Sequence, residues 1–233
     1  MRLNDYRWIE VESSSNKEGC EQSLIIRRLG LQDYEPIWKS MRYMAEHPND
    51  KRGDEIWLLS HKPIFTLGQA ADRKNIIDAG NIPVIDIDRG GQVTYHGPGQ
   101  LVGYLLLDMR RLGIGVRTLV TGIERSIIEQ LGKLNISAMS RKEAPGVYVK
   151  GRKIAALGLR VRKGLSYHGF SLNIDMDLEP YRGINPCGCE GLEVVDLKSL
   201  GSSLSVVEVA EQLAPIIGVE FAYDALLSRV RER

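Results

Sequence analysis

Cysteine is scarce: the chain of 233 residues has three, Cys20, Cys187 and Cys189. So few, and an odd number, is no disulfide framework, so the fold has to rest on a hydrophobic core. Charge of one sign is missing too, since 31 Lys and Arg stand against 30 Asp and Glu, a net +1. Overall charge therefore gives no reason to expect nucleic acid or a membrane as partner, and electrostatic docking must come from local patches. No apolar run approaches the roughly 20 residues of a membrane-spanning helix. Met1 to Ser15 lacks an apolar h-region and carries Asp5, Glu10 and Glu12, so neither a signal peptide nor an acid-poor transit peptide is expected. Repeats and low-complexity tracts are absent. These absences describe a reduced, cytoplasmic protein with one core.

The patterning sets the expected elements. Residues 1–22 look like an extension, with a short strand over Tyr6 to Val11 and a linker over Ser13 to Gly19. Residues 23–233 form a single domain. Strands are predicted at Ser23–Leu29, Glu55–His61, Ile82–Asp88, Leu101–Asp108, Gly146–Val149, Lys153–Val161 and Leu165–Ile174, the last two joined as a hairpin at Arg162-Lys163-Gly164. Tyr34, Ile37, Trp38, Met41, Met44 and Ala45 recur at helical spacing over 32–46, and Val116, Leu119, Val120, Ile123, Ile127 and Leu131 mark a second helix. Ser205 and Glu208 have capping-box spacing ahead of a third helix, expected to break or bend at Pro215. Ala222, Leu226, Leu227 and Val230 suggest a short fourth. Helices and strands mix without regular βαβ alternation, which predicts an α+β fold: a mixed β-sheet covered by helices.

Three segments have the composition of a site. Arg89 to Gln100 holds four glycines in twelve residues, which lets backbone approach a ligand closely. It lacks the closing Gly-Lys-Ser/Thr of a phosphate loop, and no helix follows it as in a dinucleotide fingerprint. Lys153 opens a strand of small residues, where a long side chain has room to turn inward. Asn185-Pro186-Cys187-Gly188 puts a thiol on a turn, between a residue that presets the backbone and one that frees it. If Lys153 lies beside Cys187, the two form a nucleophile with its proton partner, which points to acyl transfer through a thioester. His168 falls by alternation on the face of Phe170 and Leu172, as a core histidine. Cys187 and Cys189 with His96 and His168 also offer zinc donors, though Cys-x-Cys is not the usual spacing and no metal is expected.

Thr66-Leu67-Gly68, Arg89 to Gln100, Ala144 to Tyr148, Lys153 to Arg160, His168 to Asn173 and Ile184 to Gly188 together resemble the octanoyltransferase family, also called lipoyl(octanoyl) transferases or lipoate–protein ligase B. The resemblance covers residues 24–205. It implies a fold like the catalytic domain of biotin and lipoate ligases. It also implies a reaction, the transfer of octanoyl from acyl carrier protein to a lysine of a lipoyl domain, as found in 2-oxoacid dehydrogenase complexes and the glycine cleavage H protein. Cys187 would carry the acyl group and Lys153 would shuttle the proton. Substrate would contact Arg89, Gly90, Gly91, Gln92, Val93, Thr94, Tyr95 and His96, then Ala156, Leu157 and Gly158, then Gly169, Phe170 and Ser171. No cofactor is implied beyond the phosphopantetheine that delivers the acyl group. Residues 1–22 have no counterpart in the family pattern, and the segment from Cys189 to Asp196 follows it loosely.

On this reading, Gly90, Gly91 and Gly169 leave room for an eight-carbon chain, with Tyr95 and Phe170 as walls, and a larger residue at Gly169 should shorten the preferred chain. Backbone amides at Leu157-Gly158 are the candidate oxyanion donors. Arg110, Arg111, Arg117, Arg160, Arg162 and Lys163 offer docking charge for an acidic carrier. Amidotransfer between lipoyl-bearing proteins, an ATP-dependent ligase of the same fold, a non-catalytic carrier-binding module and a zinc protein are the alternatives.

Overall fold

The computed structural model describes residues 8–12, 23–48 and 53–231; the expected linker at 13–19 and Cys20 lie outside them. Among the described residues twelve strands form two sheets. The large sheet contains β1 (Trp8–Glu12), β2 (Ser23–Gln32), β3 (Asp54–His61), β7 (Gln100–Leu106), β8 (Met139–Ser140), β9 (Gly146–Val149), β10 (Arg152–Arg162), β11 (Leu165–Asn173) and β12 (Ala225–Arg231). Its order is β1-β12-β2-β3-β7-β11-β10-β9-β8. A small sheet, β5-β4-β6, is made of β4 (Ile64–Leu67), β5 (Val84–Asp86) and β6 (Val93–His96). β2 pairs in parallel with both β12 and β3, whereas β3, β7, β11, β10 and β9 pair antiparallel in sequence. The sheet is therefore mixed, as expected.

Helices cover both faces. Helix α1 (Tyr34–Glu46) buries Ile37, Met41 and Ala45 against Trp57, Leu59, Val102, Tyr104, Leu106 and Tyr167. On the other face α2 (Val116–Lys133) and α3 (Val206–Glu220) bury Leu119, Ile123, Ile127, Leu213 and Ile217 against Leu24, Ile56, Leu105 and Phe170. Every residue of β7 and β11 is buried, so these strands form the spine of the molecule. The small sheet has its own core of Phe65, Leu67, Val93, Tyr95 and Tyr181.

The β10–β11 hairpin turns at Lys163 and Gly164, both left-handed with φ of 52° and 89°. Two positive φ values at the centre of a two-residue loop match the right-handed twist of the flanking strands. The capping box at Ser205 is formed: Ser205 Oγ accepts the Glu208 N–H and Glu208 Oε2 accepts the Ser205 N–H at 2.8 Å.

Several expectations fail for identifiable reasons. The fourth helix is absent, because residues 225–231 are strand β12, paired in register with β2 from Ala225↔Ser23 to Val230↔Arg28. A run this short gives no decisive period, and the open edge of β2 decides it. Of the break or bend expected at Pro215, the break does not occur, since helix α3 continues to Glu220. Pro215 is on the exposed side of the helix, where its ring packs against no core residue. The strand expected over 82–88 is regular only at 84–86.

Candidate active site

The long strand β10 brings Lys153 inside. Lys153 is only 3 % exposed, and its backbone is locked on the edge away from β9: its N–H donates to Glu193 O at 2.8 Å and its C=O accepts from Val195 N–H at 3.0 Å. Its Nζ lies 3.1 Å from Pro145 O and 2.7 Å from Cys187 Sγ, and 5.3 Å from the centre of the Tyr148 ring. Sequence positions 34 residues apart thus place an amine and a thiol in hydrogen-bond contact.

Cys187 sits at the middle of a single 3-10 turn, Pro186–Gly188, with φ 58° and ψ 18°. A side-chain-bearing residue in the left-handed region costs of order 1–2 kcal/mol. Neighbouring hydrogen bonds hold it there: Asn185 N–H donates to Asn75 O at 2.8 Å, Gly188 N–H to Asn185 O at 2.9 Å, and Cys189 N–H to Pro186 O at 3.1 Å. Gly188 packs on Gln92, which in turn accepts from Asn75 Nδ2 at 3.3 Å. The thiol is half-buried, whereas Cys189 is exposed.

Burial opposes charge on Lys153, but Cys187, bonded to Nζ, and Tyr148 together outweigh burial and hold the amine above its ordinary value.

A cavity of about 340 Å³ opens beside this pair. Of the glycine-rich run, Arg89, Gly90, Gly91, Gln92, Val93, Thr94 and His96 line it; from β10, Ala156, Leu157 and Gly158; from β11, Gly169, Phe170 and Ser171, with both Cys187 and Lys153. Val102, Val116, Val120 and Leu159 add apolar surface. Tyr95 alone of the expected contacts does not line it. Strand β6 alternates, so Tyr95 turns into the small-sheet core, 5.4 Å from the Phe65 ring centre and 5.6 Å from that of Tyr181, and is no wall of the slot.

Arg89 is buried and organises the glycine run. Its guanidinium donates to Thr66 O at 2.7 Å, Thr66 Oγ1 at 2.9 Å and Gly90 O at 3.0 Å. Gly158 permits this arrangement, since a Cβ there would stand 2.9 Å from both Arg89 Cδ and Gly90 O. His96 donates from Nδ1 to Gln100 Oε1 at 2.7 Å. Burial, with His61 and Arg89 nearby, pushes His96 down to about 3, so it is neutral at physiological pH.

His168 departs from the expected alternation. Its φ of 60° turns the ring away from Phe170 and Leu172, to stack on Tyr167 at 5.0 Å and meet the Tyr104 ring edge-on at 6.1 Å. Its Nε2 lies 3.1 Å from Asp88 Oδ1; Trp38 and Tyr167 also donate to that carboxylate, at 2.7 and 2.5 Å. Burial alone would raise the Asp88 value, but these donors overcome it and hold the carboxyl well below its usual range. His168 lines the cavity, and its buried Nδ1 has no partner among the described residues. The described residues contain no cluster of three His, Cys, Asp or Glu able to hold a metal ion.

Gly169 lines the cavity with its backbone only. A Cβ there would run into Gly103 O of β7 and stand 2.9 Å from Leu105 Cδ1, so it points into the sheet and not into the slot. The expectation that enlarging it shortens the acyl chain is therefore replaced. Gly169→Val should instead destabilise the fold by about 3 kcal/mol through overpacking between central strands. Urea denaturation measures this, and the folded fraction should keep the wild-type order of chain-length preference.

Residues 33–217 match the family of lipoyl protein ligase A/B catalytic domains. The chain is 53% identical over 207 residues to an octanoyltransferase of Shewanella baltica, an alignment covering 89% of this chain and 95% of that protein. Its fold is also that of more distant proteins. A chain of the lipoylation system of Thermoplasma acidophilum, a bipartite lipoate protein ligase with its E2 lipoyl domain, superposes with a TM-score of 0.69 at 14% identity, covering 88% of this chain and 86% of that one. A lipoate-protein ligase A bound with ATP gives 0.67 at 14% identity, covering 91% and 87%. At those identities the likeness is one of architecture. The identity to the Shewanella enzyme, spread over nearly the whole chain, goes further: this chain belongs to the octanoyltransferase family of acyltransferases.

Proposed function

We propose that this enzyme moves octanoyl from the phosphopantetheine thioester of acyl carrier protein to the ε-amine of a lipoyl-domain lysine, with Cys187 holding the acyl group in between. The observation that carries this reading is the 2.7 Å contact between Lys153 Nζ and Cys187 Sγ at the wall of an apolar cavity. The acceptors are lipoyl domains of 2-oxoacid dehydrogenase complexes and the glycine cleavage H protein, the compartment is the cytoplasm, and residues 23–233 act as one catalytic domain.

The two halves of the reaction follow from the charge on sulfur. Thiolate attacks the thioester carbonyl, the tetrahedral intermediate collapses, and the departing phosphopantetheine sulfur takes a proton from the Lys153 ammonium. Cys187 is now an acyl thioester and carries no charge. The charge that did most to hold the Lys153 amine above its ordinary value is gone, leaving only Tyr148 against burial, which lowers it. The neutral amine then takes a proton from the attacking acceptor lysine, the amide forms, and the Cys187 thiolate leaves. One amine is acid in the first half and base in the second, because its neighbour gains and loses charge.

For the oxyanion we favour Leu157 N–H. Strand β9 ends opposite Ala156, and on that same edge Leu159 O accepts from Gly90 N–H at 3.0 Å. By alternation Leu157 turns its N–H to this uncovered edge, whereas Gly158 turns towards β11. Along the slot, each buried CH₂ of the acyl chain contributes ~0.8 kcal/mol. Part of the basic surface expected to meet the carrier is engaged internally: Arg111 pairs with the buried Asp54, Arg162 Nη1 with Glu46 at 3.1 Å, and Lys163 Nζ with Glu46 O at 2.8 Å.

Intact mass after incubation with octanoyl-carrier protein tests the reading. The protein should gain one octanoyl group, located on the Cys187 peptide and released when a lipoyl domain is added. Transfer to the lipoyl domain without any acyl-protein adduct would overturn it.

A further inference from the structure

The peptide unit between Pro145 and Gly146 is gripped from both sides. On one side Glu124 of α2, 7 % exposed, accepts the Gly146 N–H at 2.8 Å through Oε1. On the other, Pro145 O accepts from Lys153 Nζ at 3.1 Å. The N–H and C=O of a trans peptide point in opposite directions, so a carboxylate and an ammonium terminate one amide dipole. The fit is close: a Cβ at Gly146 would stand 2.7 Å from Ala155 O and would collide with Lys153 Cε.

Glu124 is out of place for a helix that only packs. It lies among Leu119, Ile123 and Ile127 on the buried stripe of α2. Burial raises its carboxyl above the ordinary value, against the Gly146 N–H and the Lys153 charge, which lower it. An acid held there at a desolvation cost has one polar contact to justify it, and that contact leads to the amine that faces Cys187.

We propose that Glu124 is a positioning residue for acyl transfer: by fixing the Gly146 N–H it fixes the Pro145 carbonyl, and the carbonyl fixes Lys153 Nζ against Cys187. This rests on the roles given above to Lys153 and Cys187. The groups that face the pair are Glu124 from α2, Tyr148 from β9, Arg89 from the glycine-rich run and Tyr181 from the turn before Cys187.

The test is the pH dependence of Cys187 alkylation by iodoacetamide, read on the Cys187 peptide by mass spectrometry, beside kcat and KM for octanoyl-carrier protein. Glu124→Ala should slow neutral-pH alkylation and kcat by about tenfold to a hundredfold, move the alkylation profile to higher pH and leave KM unchanged. Glu124→Gln keeps an oxygen for the Gly146 N–H and should restore most of both. Where Glu124→Ala does not fold, Glu124→Met, of similar volume and without an acceptor, carries the same expectation. A folded Ala or Met variant with the wild-type profile would overturn the proposal. So would a Gln variant as impaired as Ala, which would place the effect in charge and not in the held peptide. Absence of an acyl adduct on wild type would remove the transfer reading separately, with the alkylation profiles still reporting on Glu124.

Discussion

Cys187→Ser is expected to fold like the wild type and to lose octanoyl transfer by about 10⁴-fold or more. The substitution changes one atom in a turn that backbone hydrogen bonds hold from Asn185 to Cys189. A hydroxyl there meets the same amine but is not ionised by it at neutral pH, and an oxygen ester is a poorer acyl donor to an amine than a thioester. The checks are steady-state transfer to a lipoyl domain, intact mass for the missing adduct, and thermal denaturation for the preserved fold. Retained transfer in Cys187→Ser would mean that the carrier thioester is attacked directly by the acceptor lysine.

Lys153→Met is the second large effect. The substitution keeps an unbranched, buried side chain against Tyr148 and removes the amine. Positioned proton transfer is worth about 10²–10⁴-fold, and kcat should fall within that range. The direction with pH follows from the charges. In the wild type the sulfur holds the amine above its ordinary value, so Lys153 remains an ammonium through neutral pH and loses its proton only as pH rises through that raised value. The stability that Lys153 contributes is therefore present through the neutral range and is lost as pH rises through that raised value. Without the ammonium, thiolate at Cys187 has lost its nearest positive charge. Iodoacetamide alkylation in Lys153→Met should accordingly be slower at neutral pH and reach its plateau at higher pH than in the wild type. An unshifted alkylation profile in a folded variant would show that the amine does not act on the sulfur.

How much of this was legible in the sequence depends on the range of the interaction concerned. The long helices carry their period on their own residues, as do the Ser205–Glu208 cap and the Lys163-Gly164 hairpin, and each is local. Cys187 stood out because Pro and Gly flank it, and Lys153 because small residues follow it; their contact across 34 positions came from the family resemblance and not from any local pattern. The strand β12 was hidden because its partner, β2, lies some two hundred residues away, and a short apolar run does not name its partner. Strand β6 was masked by the glycines around it, and with it the alternation that sends Tyr95 away from the cavity. His168 was misplaced because a single positive φ changes which face a side chain meets, and nothing in Tyr-His-Gly announces it. Glu124 left a readable signal, an acid within an apolar stripe, which shows its meaning only once Gly146 and Lys153 are set beside it.

The sulfur and the nitrogen are mounted separately. Cys187 hangs from Asn75 and Gln92, which belong to the small sheet and its approaches, while Lys153 is a rung of the large one. Sliding one sheet over the other would alter the spacing of the reacting atoms before a single strand pair parted. Chemistry in this enzyme should therefore fail ahead of structure on warming, with transfer lost at temperatures where the helices still give their full circular dichroism.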